Sequence, residues 1–149
     1  MPCVVVNHHR RRPRAAAGVA RAADRALAAL GRPGGEVEVL LVDDAEIRRL
    51  NETWRGVQRR TDVLAFPMET PGDGALVGQI VISIDTAARQ ARRVGVPLAV
   101  ELELLVTHGV LHLVGYDDRD PVEARLMHER ERAVLGSRAP AALWRGLLG

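Results

Sequence analysis

The sequence predicts an α+β fold, a single domain with a mixed sheet of about four strands packed with about five helices. Three observations carry this. Short runs rich in Val, Leu and Ile alternate with segments whose apolar residues recur at helical spacing. Glycines and capping residues stand at the junctions between them. One segment, Leu98 to Val114, is apolar nearly all round, which suits a central helix covered by its neighbours. The chain of 149 residues reads as one domain, 1–149, with 137–149 a loosely held tail.

In order, Cys3 to Asn7 is a valine-rich strand. Arg14 to Leu30 is an Ala- and Arg-rich helix stopped at Gly31. Glu36 to Val42 alternates and then runs apolar, as a half-buried strand does. Asp43 with Glu46 forms a capping box that opens a short helix through about Thr53. Thr61 to Phe66 is β-rich and closed by Pro67. Met68 to Ala75 is a Pro- and Gly-bearing loop, and Leu76 to Ile84 is the clearest strand. Asp85 to Val94 is a helix stopped at Gly95. The central helix follows Pro97 and stops at Gly115. Asp120, Pro121 and Glu123 place an N-cap, an N1 proline and an N3 acid ahead of a last helix, which ends near Leu135.

Composition narrows the class. Aromatic residues are only 3%, so Leu, Val, Ile and Ala must fill the core. All 21 basic residues are Arg. Arginine forks pair with phosphate and stack on bases, but a GC-rich coding bias gives the same count, so position must decide. Cys3 is the only cysteine, so no intrachain disulfide can form, and a cytoplasmic location is expected. No signal-peptide pattern opens the chain. The central segment contains Glu101, Glu103, His108 and His112, which argues against a membrane span.

His108 and His112 lie at i and i+4, so both imidazoles fall on one face of that helix. The spacing is that of helical H-x-x-x-H metal sites, and satisfied core histidines are the plainer alternative. A buried helix has little reason to keep two imidazoles on one stripe unless something satisfies them. After the turn at Gly115 the chain returns toward the helix end, where a carboxylate of Asp117 or Asp118 could close the coordination sphere. Asp120 reads as a helix cap. A metalloprotease would need a base directly after the first histidine; Gly109 stands there, and its missing side chain allows close approach of another element or of substrate.

The stretch HGVLHLVGYDD resembles the signature H-G-x-L-H-L-x-G-Y-D-H of the YbeY family of metal-dependent endoribonucleases. LNETWRGVQRRTDVLAFP, from Leu50 to Pro67, is similar to the family's L-N-x-x-(aromatic)-R segment and the T-D-V-L-S-F-P that follows. VGQIVIS, from Val77 to Ser83, is similar to its G-(D/E)-I-x-I-S strand. Order and spacing agree over roughly Asp43 to Leu135. Three positions depart from the pattern: Asp118 replaces the third histidine, Ala65 the usual Ser, and Gln79 the usual acid.

The resemblance implies a single-strand-specific endoribonuclease that matures the 3' end of 16S ribosomal RNA and serves ribosome quality control. The implied mechanism is attack of metal-activated water on an RNA phosphodiester. It makes His108 and His112 the first two ligands of one divalent ion, with zinc the favoured metal and Asp118 the third ligand. Two histidines and one carboxylate form a known catalytic set, with a lower site charge than three histidines. His128 is the spare candidate but reads as surface. Arg55 falls on the family's functional arginine and would hold phosphate; Arg59 and Arg60 would contact RNA backbone. Asp62 is a candidate for orienting a ligand, Tyr116 either bonds near the metal or packs the turn, and Arg119 could screen Asp118 or touch RNA. The run His8 to Arg14 either adds to an RNA groove or is a solvated cluster. Implied partners are the small ribosomal subunit with its RNA and a ribosomal protein or assembly GTPase, with no membrane. The competing reading is a non-catalytic RNA-binding assembly factor whose metal site is degraded.

Overall fold

The computed structural model describes residues 3–32, 35–55, 63–68, 77–116 and 120–136; for 54, 55, 67 and 77 the description is of backbone alone. The elements run β1 (Cys3–Asn7), α1 (Val19–Ala29), β2 (Glu36–Val42), α2 (Asp44–Arg55), β3 (Val63–Pro67), β4 (Val77–Ser83), α3 (Ile84–Val94), α4 (Leu98–Leu113) and α5 (Pro121–Leu135). The strands form one sheet in the order β1-β2-β4-β3. β1, β2 and β4 are parallel and β3 is antiparallel to β4, so the sheet is mixed, as expected.

Alternation along the strands sorts the core into two faces. Val37, Val39, Leu41, Ile80 and Ile82 pack with α1 and α4 in the main core. Val42, Leu64 and Val81 face the other way, with Ile47 of α2. Glu38 pairs in register with Gln79, whose amide donates to Glu38 Oε1 at 2.7 Å. An acid at 79 would set two like charges opposite each other, which accounts for the departure at this position.

α1 begins at Val19, five residues after the expected start at Arg14. The intervening residues close i→i+3 turns, with Ala15 N–H on Arg12 O and Ala17 N–H on Arg14 O. Gly18 caps the helix at φ 83, a left-handed conformation that an Ala-rich pattern does not reveal. α5 starts as read: Asp120 accepts from Glu123 N–H at 2.8 Å, and Pro121 occupies the first turn.

α4 is the central helix. Ten of its sixteen residues are buried, and α1, α3 and α5 surround it. Gly109 lies against β4, where a β-carbon would stand 2.8 Å from Ile80 Cγ2. Ile80 is fully buried and cannot give way. Gly109→Ala should therefore destabilise despite a helix-propensity gain of about 1 kcal/mol. Overpacking costs about 1–3 kcal/mol, so a net loss of roughly 1 kcal/mol is expected in chemical denaturation. An unchanged or raised stability would contradict this packing.

Among the described residues no single helix is long and apolar enough to cross a membrane. α3 and α4 pass that test only together, and they are bent by 118° to one another.

Candidate metal centre

α4 runs antiparallel to β4: Gly109 sits over Ile80, and Leu113 over Gly78. His108 and His112 are thus carried toward the end of the sheet where β4 begins. Both side chains are half-buried. Their Nε2 atoms stand 3.0 Å apart, and the rings meet edge to face with centroids 4.6 Å apart. Two nitrogens on one tetrahedral zinc lie ~3.3 Å apart, so an ion needs only a small opening of this pair.

The second nitrogen of His108 is also accounted for. Nδ1 lies 2.5 Å from Glu131 Oε1, on α5. With Nδ1 as the donor, Nε2 presents its lone pair toward His112. This is the carboxylate–histidine arrangement that orients metal ligands and raises their basicity. Glu131 is 1% exposed, and its other oxygen, Oε2, lies 3.3 Å from His128 Nδ1. A carboxylate this buried needs positive charge nearby, and a divalent ion relayed through His108 would supply it. The donor set therefore fits a metal.

One sequence expectation changes here. His128 is half-buried and tied to Glu131; it is not a plain surface residue, because its ring meets the buried carboxylate one turn further along α5. Glu131 itself was not singled out. Its signal was present: Met127, Glu131 and Leu135 form the buried stripe of α5, and an acid on that stripe needs a partner. Tyr116 closes the end of α4 through its N–H, which donates to Leu111 O at 3.0 Å.

Among the described residues, no group of three His, Cys, Asp or Glu is placed to hold an ion, so the pair needs a further ligand. Asp117, Asp118 and Arg119 lie outside the described residues, as do Arg59, Arg60, Thr61 and Asp62. Arg55 ends α2, and its side chain lies outside the description.

A second polar cluster gathers where the parallel strands end. His8 and His9 follow β1, Asp43 and Asp44 follow β2, and Asp85 follows β4. His9 is buried, with Nε2 2.7 Å from Asp85 Oδ1. His8 Nδ1 lies 3.1 Å from Glu46. Asp44 accepts from Ser83 Oγ, Thr86 Oγ1 and Arg89. Burial alone would raise the Asp44 pKa, but these donors together lower it to about 2. Asp85 is also lowered: burial opposes, but His9 and the Asp44 N–H outweigh it. In the sequence His8 and His9 stand only as part of a basic run, because their partners are 38 and 76 residues away.

Fold and site define a class: an α+β domain with a pair of facing histidines on its central helix, backed by a buried carboxylate. A family model described as Endoribonuclease YbeY matches residues 7–138, and the chain belongs to that family. It is 54% identical over 106 residues to Endoribonuclease YbeY of Anaeromyxobacter dehalogenans (strain 2CP-C), covering 70% of this chain and 55% of that one. It is 45% identical to Endoribonuclease YbeY of Aquifex aeolicus (strain VF5), covering 80% and 81%. For that of Geobacter metallireducens (strain ATCC 53774 / DSM 7210 / GS-15) the identity is 38%, covering 90% and 93%. The chain spans about half the length of the Anaeromyxobacter relatives it matches. The solution structure of TM1509 from Thermotoga maritima is similar over 91% of each chain, with a TM-score of 0.57 and 25% identity.

Proposed function

We propose that this chain is a metal-dependent endoribonuclease acting on ribosomal RNA. The observation that carries the reading is the His108–His112 pair, with facing Nε2 atoms 3.0 Å apart and Glu131 behind His108. The names of its relatives support the reaction class. His108 and His112 are the first two ligands and Asp118 the third, giving two neutral donors and one carboxylate. A divalent ion held there supplies Lewis acidity toward water and toward a phosphodiester oxygen. Glu131 holds the His108 tautomer and ring angle. Arg55 grips the phosphate, and Arg59 and Arg60 contact the RNA backbone. Zinc suits two imidazoles and a carboxylate, which also admits harder ions.

The test is metal content per chain after purification without added metal, compared with Asp118→Ala, alongside cleavage of single-stranded ribosomal RNA with and without chelator. About one ion per chain, with clear loss in the variant and chelator-sensitive cleavage, is the expected result. Equal occupancy in both proteins would move the third ligand elsewhere. RNA binding without cleavage, indifferent to chelator and to offered zinc, would replace the enzyme by an RNA-binding factor.

A further inference from the structure

We infer that the loop Arg10–Arg14 is a second RNA-binding surface, which holds the phosphate backbone of a substrate strand at the opposite end of α4 from the histidine pair. This inference rests on the RNA-cleaving reading and adds a docking surface to it.

The loop leaves the end of β1. Arg10, Arg11, Arg12 and Arg14 are all exposed, four guanidinium groups within five residues. None pairs with a carboxylate among the described residues, whereas Arg25 pairs with Glu103 and Arg89 with Asp44. The density of unneutralised positive charge matches a polyanion.

The loop is also built rather than loose. Asn7 Nδ2 donates to Arg12 O at 3.0 Å and to Pro13 O at 3.4 Å, and Asn7 Oδ1 accepts from His9 N–H at 2.9 Å. His8 N–H donates to Leu41 O at 2.8 Å, and buried His9 is anchored on Asp85. A backbone fixed at both sides spends less ordering entropy when it binds.

Two clefts border the loop and share Arg11. One, of about 610 Å³, contains Asp43, Glu46 and Asp85 as well as Arg10 and Arg11. Its carboxylates are engaged, Asp85 by His9, Glu46 by His8, and Asp43 as the acceptor for Glu46 N–H. The other, of about 540 Å³, is lined by Arg11, Arg12 and Arg14 and by the start of α4 at Leu98 and Ala99, with no acid in its wall. The positive end of the α4 dipole adds to the field there. This second cleft is where phosphate sits in our assignment.

The placement has a length consequence. His112 and Leu98 are fourteen residues apart on one helix, which is ~21 Å along its axis. A strand touching both places needs roughly six nucleotides at the ~3.4 Å spacing of stacked bases.

The test compares the metal-loaded wild type with the fourfold variant Arg10→Gln, Arg11→Gln, Arg12→Gln, Arg14→Gln, on single-stranded RNA of about four and about twenty nucleotides. For the long RNA, fluorescence anisotropy should show Kd rising roughly 100-fold at ~0.1 M salt, and the slope of log K against log salt falling by about 2–3. The kinetic penalty should fall on KM and be confined to the long RNA. The fourfold Arg→Lys variant should recover most of the salt slope, which a purely structural role would not give. Wild-type cleavage with unchanged affinity and slope in the Gln variant would overturn the inference and leave the nuclease reading standing. So would an equal penalty on both RNA lengths. RNA binding lost in the variant, in a wild type that never cleaves, would support the loop and overturn the nuclease reading. Wild-type binding to phosphatidylserine vesicles in preference to the long RNA would overturn the loop as an RNA surface.

Discussion

His112→Ala is expected to abolish metal retention and to lower RNA cleavage on the order of 10³-fold or more, with the fold kept. A metal centre contributes several kcal/mol of transition-state charge stabilisation, and in the proposed centre this pair supplies the ligands that lie among the described residues. His112 is half-buried at the last turn of α4, so removing its ring leaves the main core on the other side of the helix intact. Metal stoichiometry, cleavage rate and thermal melting measured on the same preparation separate the effects. A variant that keeps both its ion and its rate would remove the histidine pair from the proposed centre. One that loses rate only because it no longer folds would show it in the melt, and His112→Gln then serves as the gentler substitution.

The second large effect is expected at Glu131. Its carboxylate is 1% exposed and touches both His108 and His128. Glu131→Gln keeps the volume and one acceptor oxygen but removes the charge that holds His108 Nδ1–H. Metal affinity should fall about 10–100-fold, as for other carboxylates behind a ligating histidine. Glu131→Ala should add a stability loss of about 2–4 kcal/mol, because it opens a cavity and strands two imidazoles. Competition with a zinc chelator reads the first effect and chemical denaturation the second. If the Gln variant bound metal as tightly as the wild type, the His108–Glu131 contact would be structural only.

How much of this was legible beforehand depended on the range of the forces involved. β1 and β2 occupy the residues expected from apolar alternation, and α5 starts at the expected cap, because strand patterning and capping are local chemistry. The late start of α1 was not legible, since it turns on the backbone sign of Gly18 and not on propensity. The i, i+4 spacing placed His108 and His112 on one face, and a helix turn is rigid enough that the rings do meet. Their partner Glu131 is 23 residues from His108, on a different helix. The pairs His9–Asp85 and His8–Glu46 were hidden for the same reason: His8 and Glu46 follow the adjacent strands β1 and β2, and His9 and Asp85 follow β1 and β4, whose ends only the sheet brings together across β2.

The amino-acid sequence by itself therefore determined the order and type of the elements, the apolar character of α4 and the presence of two imidazoles on one stripe, all set within a few helical turns or strand residues. The tertiary structure decided which carboxylate stands behind His108, that Gly109 is the contact between α4 and Ile80, and that the arginine loop and the histidine pair sit toward opposite ends of one helix. Those facts depend on α5, β4 and the loop after β1 packing around α4, and packing is a property of distances through space that no local pattern encodes.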